Sequence, residues 1–207
     1  MVFNDYSDLN PVQLDVIKEI GNIGAGNAAT ALSAMLGNPI GLTVPEIRLL
    51  SCQEVTEALG GPENMIVGIL LSLEGDFAGM MMFLLPQTFA HITLNALLGV
   101  SFNDFSQIDA MGYSAMKEVA NIMASSYVNA ISQMTGMRIH ITVPDICIDM
   151  AGAILSVPAI QFSDISEKII FIADEFLCGD EKAASHILMI PDVQSLEKLM
   201  GKLGIDL

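Results

Sequence analysis

Two pairs of polar residues, Glu19 with Asn22 and Glu118 with Asn121, have types and a spacing that suit positioning chemistry. At about 100° per residue, a glutamate and an asparagine three positions apart lie on one narrow stripe of a helix. A carboxylate accepts hydrogen bonds and pairs with a cation, whereas an amide donates and accepts and can hold one water in a fixed orientation. Because neither group is a strong nucleophile, the pairs predict a site that orients reactants.

A single pair of this kind also has an ordinary explanation, namely a solvated helix face. Two observations favour a functional site. Asparagine is a poor residue for a helix interior, yet Asn22 and Asn121 both lie in the middle of predicted helices. The pair also recurs at an offset of 99 residues, while other surface positions differ between the copies, as Gln13 and Gly112 do.

The offset of 99 residues extends beyond the two pairs. Asp15 corresponds to Ser114, and the block Thr43-Val44-Pro45 corresponds to Thr142-Val143-Pro144. No gap is needed over about 35 residues. Agreement at this many positions is the pattern that an internal duplication leaves in a sequence.

The duplication predicts the organisation of the chain. We expect a single domain over residues 1–207, made of two diverged repeats, about residues 10–100 and 109–205, related by a pseudo-two-fold axis. Past about residue 50 the register drifts, and we expect the second repeat to be rearranged around residues 151–165.

Each predicted repeat begins with a long helix. Asn10 and Asp109 are suitable N-caps, and Pro11 suits the first helical position. Gly37 and Gly136 can adopt the left-handed conformation that ends a helix. Apolar residues recur with a helical period between these limits, so both helices are predicted to be amphipathic.

The remaining patterns predict strands and shorter helices. Predicted strands cover residues 40–50, 139–150, 65–73, 77–85, 168–173 and 184–190, and predicted helices begin after Ser51, at Pro86 and near 192. The acid-rich segment 174–181 is expected to be a solvated loop. The order indicates an α+β fold of duplicated helix–strand–hairpin–helix units, with a largely antiparallel sheet covered by two long amphipathic helices.

Composition excludes several classes of protein. The formal net charge of −16 disfavours nucleic-acid binding. The longest apolar runs are too short to insert into a membrane. The three cysteines (Cys52, Cys147 and Cys178) are scattered, which is typical of reduced thiols in the cytoplasm. The histidines are isolated, so no metal site is predicted.

One dinucleotide-type glycine pattern, at residues 24–29, does not fit its context. A nucleotide-binding loop of this kind follows a strand, whereas this segment lies inside a predicted helix. The corresponding residues of the second copy contain no glycine. We therefore interpret these small residues as positions where the helix packs closely against another element.

The spacing around both pairs resembles a known signature, [Asp/Ser]-x3-Glu-x2-Asn-x22-Pro, of the CheC/CheX/FliY phosphatase family. The chain contains the signature twice, as Asp15, Glu19, Asn22 and Pro45, and as Ser114, Glu118, Asn121 and Pro144. The segment EIGNIGAGNAA, from Glu19 to Ala29, is similar to the best-marked part of that family. The second copy has Ala120 where the first has Gly21.

The resemblance implies a cytoplasmic chemotaxis phosphatase that hydrolyses the aspartyl-phosphate of a CheY-like receiver. It implies that the receiver supplies Mg²⁺ and a lysine, and that the phosphatase has no cofactor of its own. Asn22 and Asn121 would each orient an in-line water, and Glu19 and Glu118 would each pair with the receiver's lysine. Two motifs in one chain imply a monomer.

The resemblance also implies a second partner and leaves two alternatives open. Family members bind the deamidase CheD, and Asp149, which interrupts an apolar stretch, is a candidate contact. One alternative is a non-catalytic adaptor that binds phosphorylated CheY, CheD or both. The other is a flagellar-switch module like FliY, which is less expected because those proteins carry an additional C-terminal domain.

Overall fold

The structure is a computed structural model that describes residues 5–102, 104–162 and 166–205. The helices in this part of the chain are α1 (Pro11–Leu36), α2 (Cys52–Ala58), α3 (Gln87–Leu98), α4 (Ala110–Thr135), α5 (Ala151–Phe162) and α6 (Val193–Lys202). The strands are β1 (Ile40–Leu42), β2 (Glu46–Leu50), β3 (Met65–Gly75), β4 (Gly79–Pro86), β5 (Ile139–Ile141), β6 (Asp145–Met150), β7 (Ile169–Cys178) and β8 (Glu181–Pro191).

The two long helices begin and end where the sequence predicts. Asn10 accepts hydrogen bonds from two backbone amides in the first turn of α1, at 2.9 and 3.0 Å. Asp109 accepts one from the first turn of α4, at 2.9 Å. Gly37 and Gly136 follow the helices with φ values of 65° and 72°. These caps satisfy backbone groups that a helix end would otherwise leave unpaired.

The predicted continuous strands at residues 40–50 and 139–150 are wrong at their centres. Each is two short strands separated by a Thr-Val-Pro turn. Pro45 and Pro144 are both buried at the ends of these turns. Because proline has no N–H to donate to a ladder, the strand is interrupted and restarts one residue later.

The prediction of a solvated loop at residues 174–181 is also wrong. This segment completes β7, turns at Gly179 and begins β8. Alternate side chains of β7 point to the same face, so Asp174 shares the buried face with Ile172 and Phe176 and is only 7% exposed. Counting acidic residues therefore missed a strand that buries one of them.

In the segment that we expect to be rearranged, residues 151–162 form α5, and residues 163–165 lie outside the described part of the chain. The helix begins 99 residues after α2, so the element order of the first half is kept here.

The strands form one antiparallel sheet in which the two halves of the chain are interleaved. The order is β1-β7-β8-β4-β3-β5, with β2 also paired to β7 and β6 also paired to β3. The central pair is β4 with β8. The short strands of each half therefore pair with the hairpin of the other half. The predicted α+β class with an antiparallel sheet is confirmed.

The long helices pack against each other through a close contact between Gly24 and Tyr127. A Cβ atom added at Gly24 would lie 2.6 Å from the Tyr127 ring. Helix α3 lies against strands β3, β4 and β8. Helix faces and sheet share one apolar core. No helix in the described residues combines the length and apolar character needed to cross a membrane.

Gly24→Ala is expected to destabilise the protein by about 1–3 kcal/mol, because the buried tyrosine ring has no room for another methyl group. This cost exceeds the gain of about 1 kcal/mol from replacing a helical glycine. The measurement is the free energy of unfolding in urea. Gly26→Ala is the matched control, since a Cβ there meets nothing within 4 Å, and it should stabilise. Equal effects of the two variants on the free energy of unfolding would contradict the close contact between Gly24 and Tyr127.

Asp174 is a buried carboxyl group, and no opposite charge among the described residues contributes to its pKa. Neither of its oxygens has a hydrogen-bond partner in the described residues. Burial raises the pKa of Asp174 to about 7, and the Ser185 hydroxyl, opposite on β8, opposes this rise without forming a well-directed hydrogen bond. Burial, and then the charge of Asp174, raise the pKa of Tyr127. The core therefore favours the protonated form of Asp174.

Asp174→Asn should become progressively more stable than the wild type as the pH rises. A carboxyl group whose pKa is higher in the folded state costs nothing below its unfolded pKa of 3.8, and its full cost applies above about 7. The difference in unfolding free energy should grow by about 1.4 kcal/mol per pH unit across that interval and then level off. Urea titrations at several pH values measure it. Asp180→Asn, at the exposed turn of the same hairpin, should follow the wild type, and a difference independent of pH would refute the assignment.

Candidate functional site

The first Glu/Asn pair lies on the solvent-facing stripe of α1. Glu19 and Asn22 are both exposed, as is Asp15 one turn before them. Lys18 pairs with Asp15 at 3.0 Å, and both side chains remain more than half exposed. An exposed pair of this kind contributes little to stability, so this polar stripe is available to another molecule.

The second pair lies in a shallow depression beside α4. Glu118, Asn121, Ser114 and Lys117 line it together with the turn at residues 142–144, and its volume is about 350 Å³. Asn121 is half-buried, whereas Glu118 is exposed. The hydroxyl of Ser114, which stands where the first copy has Asp15, donates to the Ala110 carbonyl oxygen at 3.0 Å. The structure therefore brings the predicted Ser, Glu, Asn and Pro of the second copy to one surface.

The Thr-Val-Pro turns are fixed in the same way in both copies. The Thr43 amide donates to the Glu175 carbonyl at 3.1 Å, and the Glu175 amide donates to the Thr43 hydroxyl oxygen at 2.9 Å. Thr142 makes the same two bonds with Ser72, at 3.0 and 2.9 Å. Each turn is thus held to a strand of the other half of the chain.

A small residue lets each turn approach the helix that carries the pair. A Cβ added at Gly21 would lie 2.9 Å from the Ile47 Cδ1 atom and 3.5 Å from Pro45. The corresponding Ala120 of the second copy is fully buried. The second copy therefore accommodates the additional methyl group and still keeps Glu118 at the surface.

The geometry adds residues that the sequence interpretation did not assign to the site. Lys18 and Lys117 each precede a glutamate of the pairs. Thr43 and Thr142 fix the turns through their hydrogen bonds. Val44 and Val143 are more than four-fifths exposed. All three pairs recur at the offset of 99 residues. That repetition is the feature from which they could have been found.

The candidate contact Asp149 lies on a different surface. It is exposed on β6, where its carboxylate accepts a hydrogen bond from the Met150 amide at 2.7 Å. It borders an apolar depression of about 210 Å³ lined also by Cys147, Ile154 and Val157. Asp149 is thus associated with an apolar surface and not with a Glu/Asn pair.

The arrangement can orient small groups at two places on one chain. Each copy presents a carboxylate and an amide to solvent beside a fixed turn. In the described residues, no cluster of three or more histidine, cysteine, aspartate or glutamate side chains is placed to hold a metal ion. The carboxylate and the amide of each copy suit recognition and positioning of groups that another molecule brings.

The fold matches solved structures of flagellar-switch and chemotaxis proteins. FliY from Thermotoga maritima superposes with a TM-score of 0.75 over 95% of this chain and 98% of its own, at 24% identity. The middle domain of FliM from H. pylori gives a TM-score of 0.69 over 94% and 99% of the two chains, at 16% identity. At these identities the likeness establishes the architecture alone.

Sequence comparison identifies the family. The model of the CheC-like family matches residues 12–48 and 111–148, which contain the two Glu/Asn pairs. The CheY-P phosphatase CheC of Bacillus subtilis is 32% identical over 206 residues, or 98% of this chain and 99% of that protein. The flagellar motor switch phosphatase FliY of the same species is 27% identical over 68% of this chain, but only 36% of its own length. The chain belongs to the CheC-like family.

Proposed function

We propose that this chain is a chemotaxis phosphatase that hydrolyses the aspartyl-phosphate of a CheY-like receiver and so ends its signal. The observation that carries the proposal is the recurrence of a Glu/Asn pair, with its glutamate exposed, beside an identically held turn in both halves of the chain. Near full-length similarity to a CheY-P phosphatase supports it. We place the activity in the cytoplasm, where receivers are found.

The proposed reaction divides the work between the two proteins. The receiver provides the phosphorylated aspartate, the Mg²⁺ and a lysine, so this chain needs no cofactor of its own. Asn22 or Asn121 holds a water in line, and Glu19 or Glu118 pairs with the receiver's lysine and fixes the register. The water oxygen bonds to phosphorus as the bond to the aspartate oxygen breaks. The products are a free carboxylate and inorganic phosphate, which carries the water's oxygen and both of its protons and can then release one proton to solvent.

Positioning is the contribution that phosphoryl transfer most requires. Its transition state is loose and gains mainly from alignment and from stabilisation of charge. Ordering one water in line is expected to supply about 2–4 kcal/mol. This magnitude corresponds to a rate enhancement of about 30- to 1,000-fold at each working site.

Asn22→Ala combined with Asn121→Ala should return the decay of the phosphorylated receiver to its unassisted rate. Each single variant should keep part of the activity, because the other copy retains its amide. The measurement is loss of phosphate from a CheY receiver that has been phosphorylated with acetyl phosphate. Asn129→Ala, an exposed asparagine two turns further along α4, is the control and should match the wild type.

Three outcomes would change the proposal. Full activity in the double variant would refute the positioning mechanism. A wild-type protein that binds the phosphorylated receiver but leaves its decay unchanged, or slows it, would indicate the adaptor function instead. Loss of all activity in one single variant would mean that only that copy works.

We also propose that the surface around Asp149 binds CheD. Met150 follows this aspartate on β6, Met65 of β3 is the strand partner of Met150, and Val157 of α5 lines the same depression as Asp149; all three are exposed, as is Ile160 further along α5. Apolar surface of this extent beside a charge is typical of a protein contact. We further expect a monomer, because the hairpins of the two halves pair within one sheet.

Asp149→Lys should weaken CheD binding by about tenfold or more, because it reverses the charge at the edge of the contact. Calorimetric titration of the full chain with CheD measures the affinity, and sedimentation of the free chain tests the monomer. Asp180→Lys makes the same charge change at the exposed β7–β8 turn and should have no effect. Unchanged affinity in Asp149→Lys would remove this residue from the contact.

A further inference from the structure

Exposed apolar side chains are concentrated at two kinds of place on this protein. In the described residues, nine large apolar side chains are exposed: Val12, Val44, Met65, Val100, Met111, Val143, Met150, Val157 and Ile160. Four of them, Met65, Met150, Val157 and Ile160, lie on β3, β6 and α5, the elements in or next to which Asp149 is found. Another four, Val12 with Val44 and Met111 with Val143, flank the Glu/Asn pairs and recur at the offset of 99 residues.

One member of each flanking pair lies on the same helix stripe as the catalytic candidates. Counted from Asp15, Val12 lies at about +60°, Glu19 at about +40° and Asn22 at about −20° around the helix, so all of them fall within about 80°. Val12 is 59% exposed, and Met111, its counterpart on α4, is 64% exposed. Each stripe therefore runs from an apolar side chain near the helix start to the Glu/Asn pair.

The other member comes from the Thr-Val-Pro turn. Val44 and Val143 are 83% and 82% exposed. Val143 lines the same depression as Glu118 and Asn121. The two hydrogen bonds of each threonine hold the turn to the adjacent strand, so the valine is kept in solvent by a rigid backbone. A single exposed valine needs no explanation, but two at matching positions beside matching sites do.

We propose that these four side chains, the apolar flanks of the two sites, seat the phosphorylated receiver over each Glu/Asn pair. The inference rests on the proposed function, since a receiver whose aspartyl-phosphate reaches the asparagine must also cover the neighbouring side chains. With 24 acidic against 8 basic residues, the chain repels an anionic phosphoryl group at long range. Besides the pairing of Glu19 or Glu118 with the receiver's lysine, short-range burial of apolar surface can therefore add affinity at the site. The matching partner surface is an apolar rim around the receiver's phosphorylated aspartate.

The test isolates one site at a time. In the Asn22→Ala background only the second copy acts, and Val143→Ser should raise the KM for phosphorylated receiver about tenfold while kcat stays unchanged. In the Asn121→Ala background, Val44→Ser should do the same. In the same backgrounds, Val44→Leu and Val143→Leu keep an apolar side chain and should leave the KM at the value measured with valine. Val100→Ser, at an exposed loop position after α3, is the control and should leave both constants unchanged.

Each result separates this inference from the proposed function. An unchanged KM, or a fall in kcat alone, overturns the docking role while the phosphatase stands. If the wild type does not accelerate decay, the phosphatase fails, and affinity for receiver loaded with beryllium fluoride decides the docking role. A tenfold loss of that affinity in Val44→Ser with Val143→Ser supports docking, and no binding by the wild type overturns it. Self-association of the wild type that the same double variant abolishes would also overturn it, because the flanks would then bind a second copy.

Discussion

The structure depends on the exchange of short strands between the two halves of the chain. β2 pairs with β7 and β6 pairs with β3, so neither hairpin has its outer neighbour from its own half. Each Thr-Val-Pro turn lies between the two short strands of its own half. It is hydrogen-bonded to the other half through Thr43 or Thr142. Each candidate site therefore combines a helix and a turn from one half with a strand from the other, and a site exists only when both halves have folded together.

The two long helices, one from each half of the chain, also pack against each other. Tyr127 of α4 packs on Gly24 of α1, and burial, followed by the charge of Asp174 on β7, raises the pKa of Tyr127. This region keeps a carboxyl group whose pKa is raised by burial, and no opposite charge in the described part of the chain lowers it. A core that tolerates this cost must gain more elsewhere. The large shared apolar cluster, which extends across both helices and the sheet, supplies that gain.

Local chemistry made the long helices predictable, whereas the sheet required knowledge of distant partners. Caps such as Asn10 and Gly37 act within one turn, so their residue types suffice. The break at Pro45 was missed because apolar residues on both sides looked continuous. Asp174 was missed because its burial depends on Ser185 and α4, which are distant in sequence or across a turn. The Glu/Asn pairs were found through repetition, but no local pattern indicated that the turns are held by the opposite half.

A site that only positions groups tolerates differences between its two copies. Asp15 is replaced by Ser114 and Gly21 by Ala120, and yet the glutamate stays exposed in both copies and both turns keep the same hydrogen bonds. A nucleophile or a metal centre would not accept such changes so easily, because its reactivity depends on the charge and burial of every neighbour. Under the proposed mechanism the reactive groups belong to the receiver. Selection on this chain then acts on the direction of one amide and on the surface that brings the receiver to it, and these are the features that the two copies share.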